Sequence, residues 1–200
     1  RAGHRASRSL TPSAQKVVFP MSQATAPPTA RHYASPPQHS AAGEQTWITR
    51  GGNFVVAVSQ VRAGTVLPRA TQPDEYMVFL VDLPACIEAG NETIDARPAT
   101  LTIVPPGTSR ITARGDGQVV RVFSTRAEDL LRQAGNAGVY AAGAPEVAPL
   151  VPWPDPVDGF RLRHYVLDEH TKPDTNMRIF RSTNLMLNIM TRRMVPRDTH

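Results

Sequence analysis

The fold is indicated most directly by Ala99-Thr100-Leu101-Thr102-Ile103-Val104-Pro105-Pro106-Gly107. Apolar and β-branched residues alternate with threonine and the run stops at Pro-Pro-Gly, which is typical of a strand that ends in a turn. Similar short apolar runs occur at residues 53–58, 76–81, 109–113 and 118–123. Asp116-Gly117, between the last two runs, predicts a hairpin. Short strands at this spacing predict a β-sandwich or barrel.

The composition is that of a globular protein with a basic amino-terminal segment. Of the 200 residues, 40% are hydrophobic and 20% are charged, and the formal net charge is +5. Residues 1–40 contain five basic residues and no acid, whereas residues 41–200 contain 17 of each sign. A fold that binds nucleic acid carries its basic surface on the folded part, so specific nucleic-acid binding is not expected. No apolar run has the length of about 18 residues that a membrane span needs.

The two ends of the predicted barrel differ in character. Residues 1–43 are rich in Ala, Ser, Pro, Thr and Gln and are expected to be a disordered tail. Residues 1–20 are interpreted as an extension upstream of Met21, with an organellar targeting segment as the alternative. After the strands, Thr125 and Glu128 have the spacing of a helix capping box. Residues 144–159 contain five prolines, as in an extended connector.

A weak repeat relates the first strands to the end of the chain. Ile48-Thr49-Arg50-Gly51-Gly52-Asn53-Phe54 is echoed 131 residues later by Ile179-Phe180-Arg181-Ser182-Thr183-Asn184-Leu185. Chance is the alternative explanation, because such short matches are common. Duplication is favoured because an apolar, strand-like run follows both segments. It predicts one complete unit and the opening of a second.

Two groups of residues have the spacing of paired family motifs. Gly64 is followed by Ala70, Gln72 and Glu75, and Pro105-Pro106-Gly107 is followed by Arg110. These groups resemble the cupin superfamily, whose motifs place His-x-His and glutamate after the glycine and a histidine after Pro-x-Gly. The turn residues match, all three histidine positions differ, and Glu75 stands one residue short of the family's glutamate.

The resemblance implies a mainly β fold, a cupin-type double-stranded β-helix or jelly-roll barrel, with one short helix and the start of a second barrel. Adding the repeat distance to the first motif gives positions beyond His200, so the chain resembles a two-barrel cupin (a bicupin) that stops before its second metal motif. The implied regions are a disordered tail at 1–43, a cupin barrel at 44–124, a helix and Pro-rich connector at 125–158, and the opening strands of an incomplete second barrel at 159–200.

Four residues are candidates for binding a small anionic ligand at the mouth of the first barrel: Arg69, Gln72, Glu75 and Arg110. Arginine binds carboxylates and phosphates through its planar fork of donors. The alternative is that Arg110 and its neighbour Arg114 are exposed residues with no binding role. No metal ligand and no catalytic residue are assigned in this chain.

Two other features are judged to be structural. His164, Asp168 and His170 share a strand face, but the two histidines would lie about 20 Å apart on one strand. Cys86 is the only cysteine, and it is expected to be a buried, inert thiol.

The function expected from these features is that of a metal-free half of a bicupin, either a scaffold or a small anionic ligand-binding module. The alternative is a metal-dependent cupin enzyme of the dioxygenase or isomerase class, with a divalent metal in the absent second barrel. The expected partner is a second barrel or a second copy, because an unpaired strand at 184–191 would favour association. A cytoplasmic location is expected.

Overall fold

The computed structural model describes residues 34–172, 175 and 177–190. The strands of its first part are β1 (His39–Ala41), β2 (Glu44–Arg50), β3 (Phe54–Val61), β4 (Val66–Arg69), β5 (Tyr76–Leu80), β6 (Ala85–Ala89), β7 (Glu92–Ala96), β8 (Thr100–Val104), β9 (Ser109–Ala113) and β10 (Gly117–Ser124). Helix α1 (Glu128–Gln133) and a 3-10 turn (Ala137–Tyr140) follow, and then β11 (Arg163–Val166), a 3-10 turn (Leu167–His170), β12 (Ile179–Arg181) and β13 (Met186–Asn188).

The strands form two antiparallel sheets that face each other. One sheet has seven strands in the order β1-β2-β3-β10-β5-β8-β11, and the other has four in the order β4-β9-β6-β7. From β3 to β10 the chain passes back and forth between the sheets, with only β6 and β7 adjacent in both chain and sheet. This is the winding of an eight-stranded jelly roll. The expected fold class is therefore confirmed, and β1, β2 and β11 extend one sheet.

Alternation along the strands separates two apolar cores. On β5, Tyr76, Val78 and Leu80 face the space between the sheets, where they join one buried cluster. Met77, on the opposite face of the same strand, belongs to a second cluster that includes Phe180 and Leu185. We call these clusters the inner core and the outer core. The outer core exists because the carboxy-terminal segment covers the outer face of the seven-stranded sheet.

The carboxy-terminal segment packs on the first barrel. Strand β11 pairs antiparallel with β8, the last strand of the jelly roll on that side. Strands β12 and β13 form a separate two-stranded sheet. The part of the predicted second-barrel segment that is described therefore lies against the first barrel, and residues 191–200 fall outside the described residues.

Three local expectations are corrected. Strands β9 and β10, on either side of Asp116-Gly117, belong to different sheets, so this turn is a crossing and not a hairpin. Helix α1 begins at Glu128, and its N-cap residue Ala127 makes no side-chain capping bond, so Thr125 does not form the predicted capping box. The predicted tail is too long, because residues 39–41 pair with β2; residues 1–33 lie outside the described part.

Helix α1 lies beside β2. The backbone N–H of Gly135, just after the helix, donates to the carbonyl of Ile48 at 2.8 Å. Leu130 and Leu131 pack against the inner core. Within the described ranges, no helix has the length and apolar character needed to cross a membrane.

Candidate functional site

Arg69 and Gln72, two of the four predicted ligand-binding residues, lie together at the end of β4. Alternation on β4 turns Leu67 and Arg69 inward. The Nε–H of Arg69 donates to Gln72 Oε1 at 2.8 Å. Both terminal nitrogens of Arg69 donate to the carboxylate of Asp129 on α1. These bonds hold the pKa of Asp129 below its usual value, and they give Arg69 a carboxylate partner within the chain.

Glu75 faces away from this pair. Its side chain is fully buried, on the side of the sheet that carries the outer core. Glu75 Oε1 accepts a hydrogen bond from Arg163 Nη2 at 2.6 Å, and Oε2 accepts one from the backbone N–H of Thr183 at 3.0 Å. The inward residue at this end of β5 is Tyr76. Because successive side chains alternate, a shift of one residue moves the predicted carboxylate to the opposite face of the sheet.

Arg110 also points away from Arg69 and Gln72. Strand β9 buries Ser109 and Ile111 and exposes Arg110, which pairs with Glu88 at 3.1 Å on the outer face of the four-stranded sheet. The structure therefore brings together only two of the four predicted residues. Ser109 is the inward residue here, and its hydroxyl lies 2.9 Å from the Tyr76 hydroxyl.

Arg114 and Cys86 lie on this outer face as well. Arg114 pairs with Asp95 at 2.6 Å, and its side chain is 56% exposed, which agrees with the structural alternative for this residue. Cys86 alternates with inward Ala85 and Ile87, and it is only partly buried. The expectation of a buried thiol is therefore wrong, because the strand parity places the sulfur outside the inner core.

Asp74 is a site residue that the sequence analysis missed. It is 3% exposed. Its Oδ1 accepts from Gln72 Nε2 at 2.9 Å, and its Oδ2 accepts from the Ser124 hydroxyl at 2.6 Å and from Asn184 Nδ2. An acidic pair immediately before a buried strand was the available signal, because one member of such a pair faces each way.

Arg121 is the second missed residue. On β10 it lies between Val119 and Phe123, both in the inner core, so the guanidinium points into the barrel. Arg121 Nη2 donates to the Ser59 hydroxyl at 3.1 Å. Burial lowers the pKa of Arg121. A lone arginine in an otherwise apolar alternation was the sequence signal for this position.

The aromatic side chains of the barrel form a stack at its centre. The rings of Tyr76 and Phe123 have centroids 4.8 Å apart and planes 12° apart. The guanidinium carbon of Arg69 lies 5.4 Å from the centroid of Phe123. Burial raises the pKa of Tyr76, so its phenol is neutral at physiological pH. The interior thus offers hydroxyl and guanidinium donors beside an apolar surface.

The residues of the first barrel do not fit a divalent metal. The inward residues near the two motifs are Arg69, Gln72, Tyr76 and Ser109, and a guanidinium repels a cation while amide and neutral hydroxyl groups are poor ligands for transition metals. Within residues 34–172, 175 and 177–190, no three His, Cys, Asp or Glu side chains are arranged to hold a metal ion.

The histidines of the 164–170 segment have other partners. His164 Nδ1 lies 2.8 Å from the Thr102 hydroxyl, and burial lowers the pKa of this histidine. His170 lies edge-on to Tyr165 and Phe180, with ring centroids 5.4 and 5.5 Å away. The two histidines therefore serve packing at opposite ends of β11 and the turn that follows it.

Comparisons with known proteins give likenesses of fold. No family model and no curated protein matches the chain. Among solved structures, KdgF from Halomonas sp. is 19% identical with a TM-score of 0.44, over 50% of this chain and 96% of that one. An RmlC-like cupin protein from Desulfovibrio desulfuricans is 15% identical with a TM-score of 0.38, over 42% and 83%.

A third similar structure is a salicylate 1,2-dioxygenase from Pseudoaminobacter salicylatoxidans, with adducts of gentisate. It is 13% identical with a TM-score of 0.41, over 50% of this chain and 30% of that one. Likenesses this distant carry no argument about activity. The jelly-roll assignment rests on the strand order described above.

Proposed function

We propose that residues 44–124 are the non-catalytic barrel of a two-barrel cupin, a scaffold that orients a second barrel begun by β12 and β13. One observation carries this proposal. Asp74 and Glu75, beside the first motif, are buried and are bonded to Arg163, Thr183 and Asn184 of the carboxy-terminal segment. The carboxylates nearest to the motif therefore attach the following unit to the barrel. We call these contacts the acidic clamp.

The two copies of the repeat form equivalent hairpins, which supports duplication. In the first hairpin Arg50 pairs with Val55, and in the second Arg181 pairs with Met186, each 131 residues later. The Gly51 N–H donates to the Phe54 carbonyl at 2.9 Å, and the equivalent bond from Ser182 to Leu185 has the same length. Chance similarity of two short segments does not require the same register and the same turn bond.

The two hairpins also meet at one groove. A cavity of about 540 Å³ is lined by Asn53, Phe54 and Val56 of the first copy. The residues at the same distance of 131, Asn184, Leu185 and Leu187, line it from the second copy. Equivalent residues on two sides of one groove are expected where two related units pack about a pseudo-twofold axis, which supports a scaffold role.

The proposal is tested by Glu75→Gln in the full chain. Removing the charge leaves the Arg163 guanidinium, only 24% exposed, without its carboxylate. Breaking a buried ion pair costs about 3 kcal/mol. We expect amide hydrogen exchange to accelerate about 100-fold in residues 178–189, while the amides of β5 and β10 keep their protection.

Glu169→Gln is the matched control. Glu169 pairs with Arg97 at 3.6 Å, and both side chains are more than 60% exposed, so the loss is expected to stay below about 1 kcal/mol. Equal protection of residues 178–189 in Glu75→Gln and in the wild type would contradict the clamp. Loss of protection throughout the barrel would mean that Glu75 supports the barrel itself and not the attachment of the next unit.

The alternative function is a metal-dependent enzyme whose ligands lie in the second unit. One sequence feature favours it: Leu67-Pro68-Arg69-Ala70-Thr71-Gln72 is echoed by Val195-Pro196-Arg197-Asp198-Thr199-His200. In this echo a histidine stands where the first barrel has Gln72, and imidazole suits a divalent metal. A chain with the native sequence that follows His200 is expected to bind about one metal ion, and a metal-free longer chain would rule the enzyme out.

The remaining expectations stay predictions. They are a small anionic ligand at Arg69, Gln72, Glu75 and Arg110, a homodimer, no specific nucleic-acid partner and a cytoplasmic location. The separation of Glu75 and Arg110 from the other two residues favours the scaffold role over this particular ligand site.

A further inference from the structure

Arg121 places a positive charge inside the barrel without a matching acceptor. Its Nε is fully buried and has no hydrogen-bond partner among the described residues. Nη2 bonds to Ser59, and Ser59 in turn lies 2.7 Å from the Thr46 hydroxyl. The Thr46 hydroxyl donates to Glu44 Oε1 at 2.6 Å. A neutral hydroxyl chain therefore separates the guanidinium from the nearest carboxylate on this side.

The residue nevertheless retains accessible surface. Arg121 points inward, between Val119 and Phe123, yet its exposure is intermediate and not zero. Surface on an inward-facing side chain measures space next to it. A buried donor with neighbouring space requires an acceptor, because an unpaired charged donor in a protein interior is costly.

The surroundings of Arg121 favour an anion. The positive charges of Arg69 and Arg121 act on each other and on the Tyr76 phenol, so the three groups face a common region. Asp129 pairs with Arg69 from the α1 side, where its own side chain is 45% exposed. Glu44 is the carboxylate that acts on Arg121, but the hydroxyls of Thr46 and Ser59 stand between them.

We propose that the interior of this barrel binds a small carboxylate at Arg121, with the guanidinium fork as the charged donor and the Tyr76–Phe123 stack as the apolar wall. A carboxylate matches a planar guanidinium with two parallel hydrogen bonds. The apolar wall favours an organic acid over a fully hydrated inorganic anion. The site needs no metal, and it does not depend on a second barrel.

The test is thermal unfolding of the full chain at pH 7 in increasing sodium acetate, with sodium chloride and sodium phosphate at matched ionic strength. A ligand that binds only the folded state raises the melting temperature with the logarithm of its concentration. We expect acetate to raise it by about 2 to 5 °C above chloride. We expect Arg121→Met to abolish this rise and Arg110→Met, on the outer face beside Glu88, to retain it.

A second readout covers the case in which Arg121→Met does not fold. Arg121→Lys keeps the charge and removes the fork, and it is expected to lose more than half of the rise. In the wild type, the Nε–H resonance of Arg121 is expected to shift with acetate and not with chloride. No rise with acetate, an equal rise in Arg121→Met, or a rise with phosphate alone would overturn the proposal. None of these results would alter the hydrogen-exchange test of the acidic clamp.

Discussion

The hairpin of β2 and β3 and the hairpin of β12 and β13 have the same register and the same turn, but different neighbours. The first hairpin lies within the seven-stranded sheet, paired with β1 on one side and β10 on the other. The second forms a sheet of two strands within the described residues. One hairpin is therefore stabilised along its edges by backbone hydrogen bonds, and the other through its face by apolar burial.

Equivalent side chains reflect this difference. Phe54 is 42% exposed, whereas Leu185, its counterpart, is 7% exposed in the outer core. Asn53 is exposed, whereas Asn184 is buried and donates to Asp74. An isolated two-stranded hairpin is marginal in water. The second hairpin consequently depends on Leu185, Asn184 and the barrel beneath them.

The largest effect expected from this comparison is that of Leu185→Ala. Truncating a buried leucine removes apolar contact and leaves a cavity, which costs about 2 to 3 kcal/mol. We expect exchange of the Ser182 and Ile189 amides, which bond to Leu185 and Arg178, to accelerate by about 30-fold or more. The measurement is native-state hydrogen exchange resolved by residue.

Phe54→Ala is the matched control at the equivalent position. A half-exposed side chain contributes about 1 kcal/mol, and the edges of the first hairpin remain paired. A larger loss in Phe54→Ala than in Leu185→Ala would mean that face burial is not what holds the second hairpin.

A smaller effect is expected at an arginine that both copies share. The guanidinium of Arg50 lies 4.7 Å from the centroid of Tyr140, and that of Arg181 lies 4.5 Å from the centroid of Trp153. Each alanine substitution is expected to cost about 0.5 to 1 kcal/mol, the range for exposed cation–π contacts.

The two arginine variants differ in where the loss appears. Arg50→Ala is expected to lower the midpoint of urea unfolding of the whole barrel. Arg181→Ala is expected to change only the exchange rates in residues 178–189. A change of the global midpoint in both would indicate that the second hairpin and the barrel unfold as one unit.

The sequence predicted much of the fold, because strand signals are local. Residues 54–61, 76–80, 100–104, 109–113 and 117–124 form strands close to the predicted runs. The repeat was also visible, since the same residue types specify the same turn. The hairpin of β6 and β7 was missed, because its runs are short and contain Glu88, Glu92 and Asp95 on the solvent face.

The candidate site was predicted less well, and the reason is the period of two along a strand. Glu75 and Arg110 lie one residue away from the inward positions Tyr76 and Ser109, and this single step moves each of them to the other face of its sheet. Motif spacing locates a residue along a strand to within about one position. That precision identifies the end of the barrel but not the face.

The sequence by itself determined that the chain forms short strands, that its basic excess lies outside the barrel and that two of its segments are related. Only the tertiary structure decided which sheet each strand enters, because strand pairing depends on partners far along the chain and not on turn residues such as Asp116-Gly117. It also decided that Asp74 and Glu75 hold the carboxy-terminal segment and that Arg121 lies inside the barrel. These assignments follow from burial and long-range contact, which no local pattern contains.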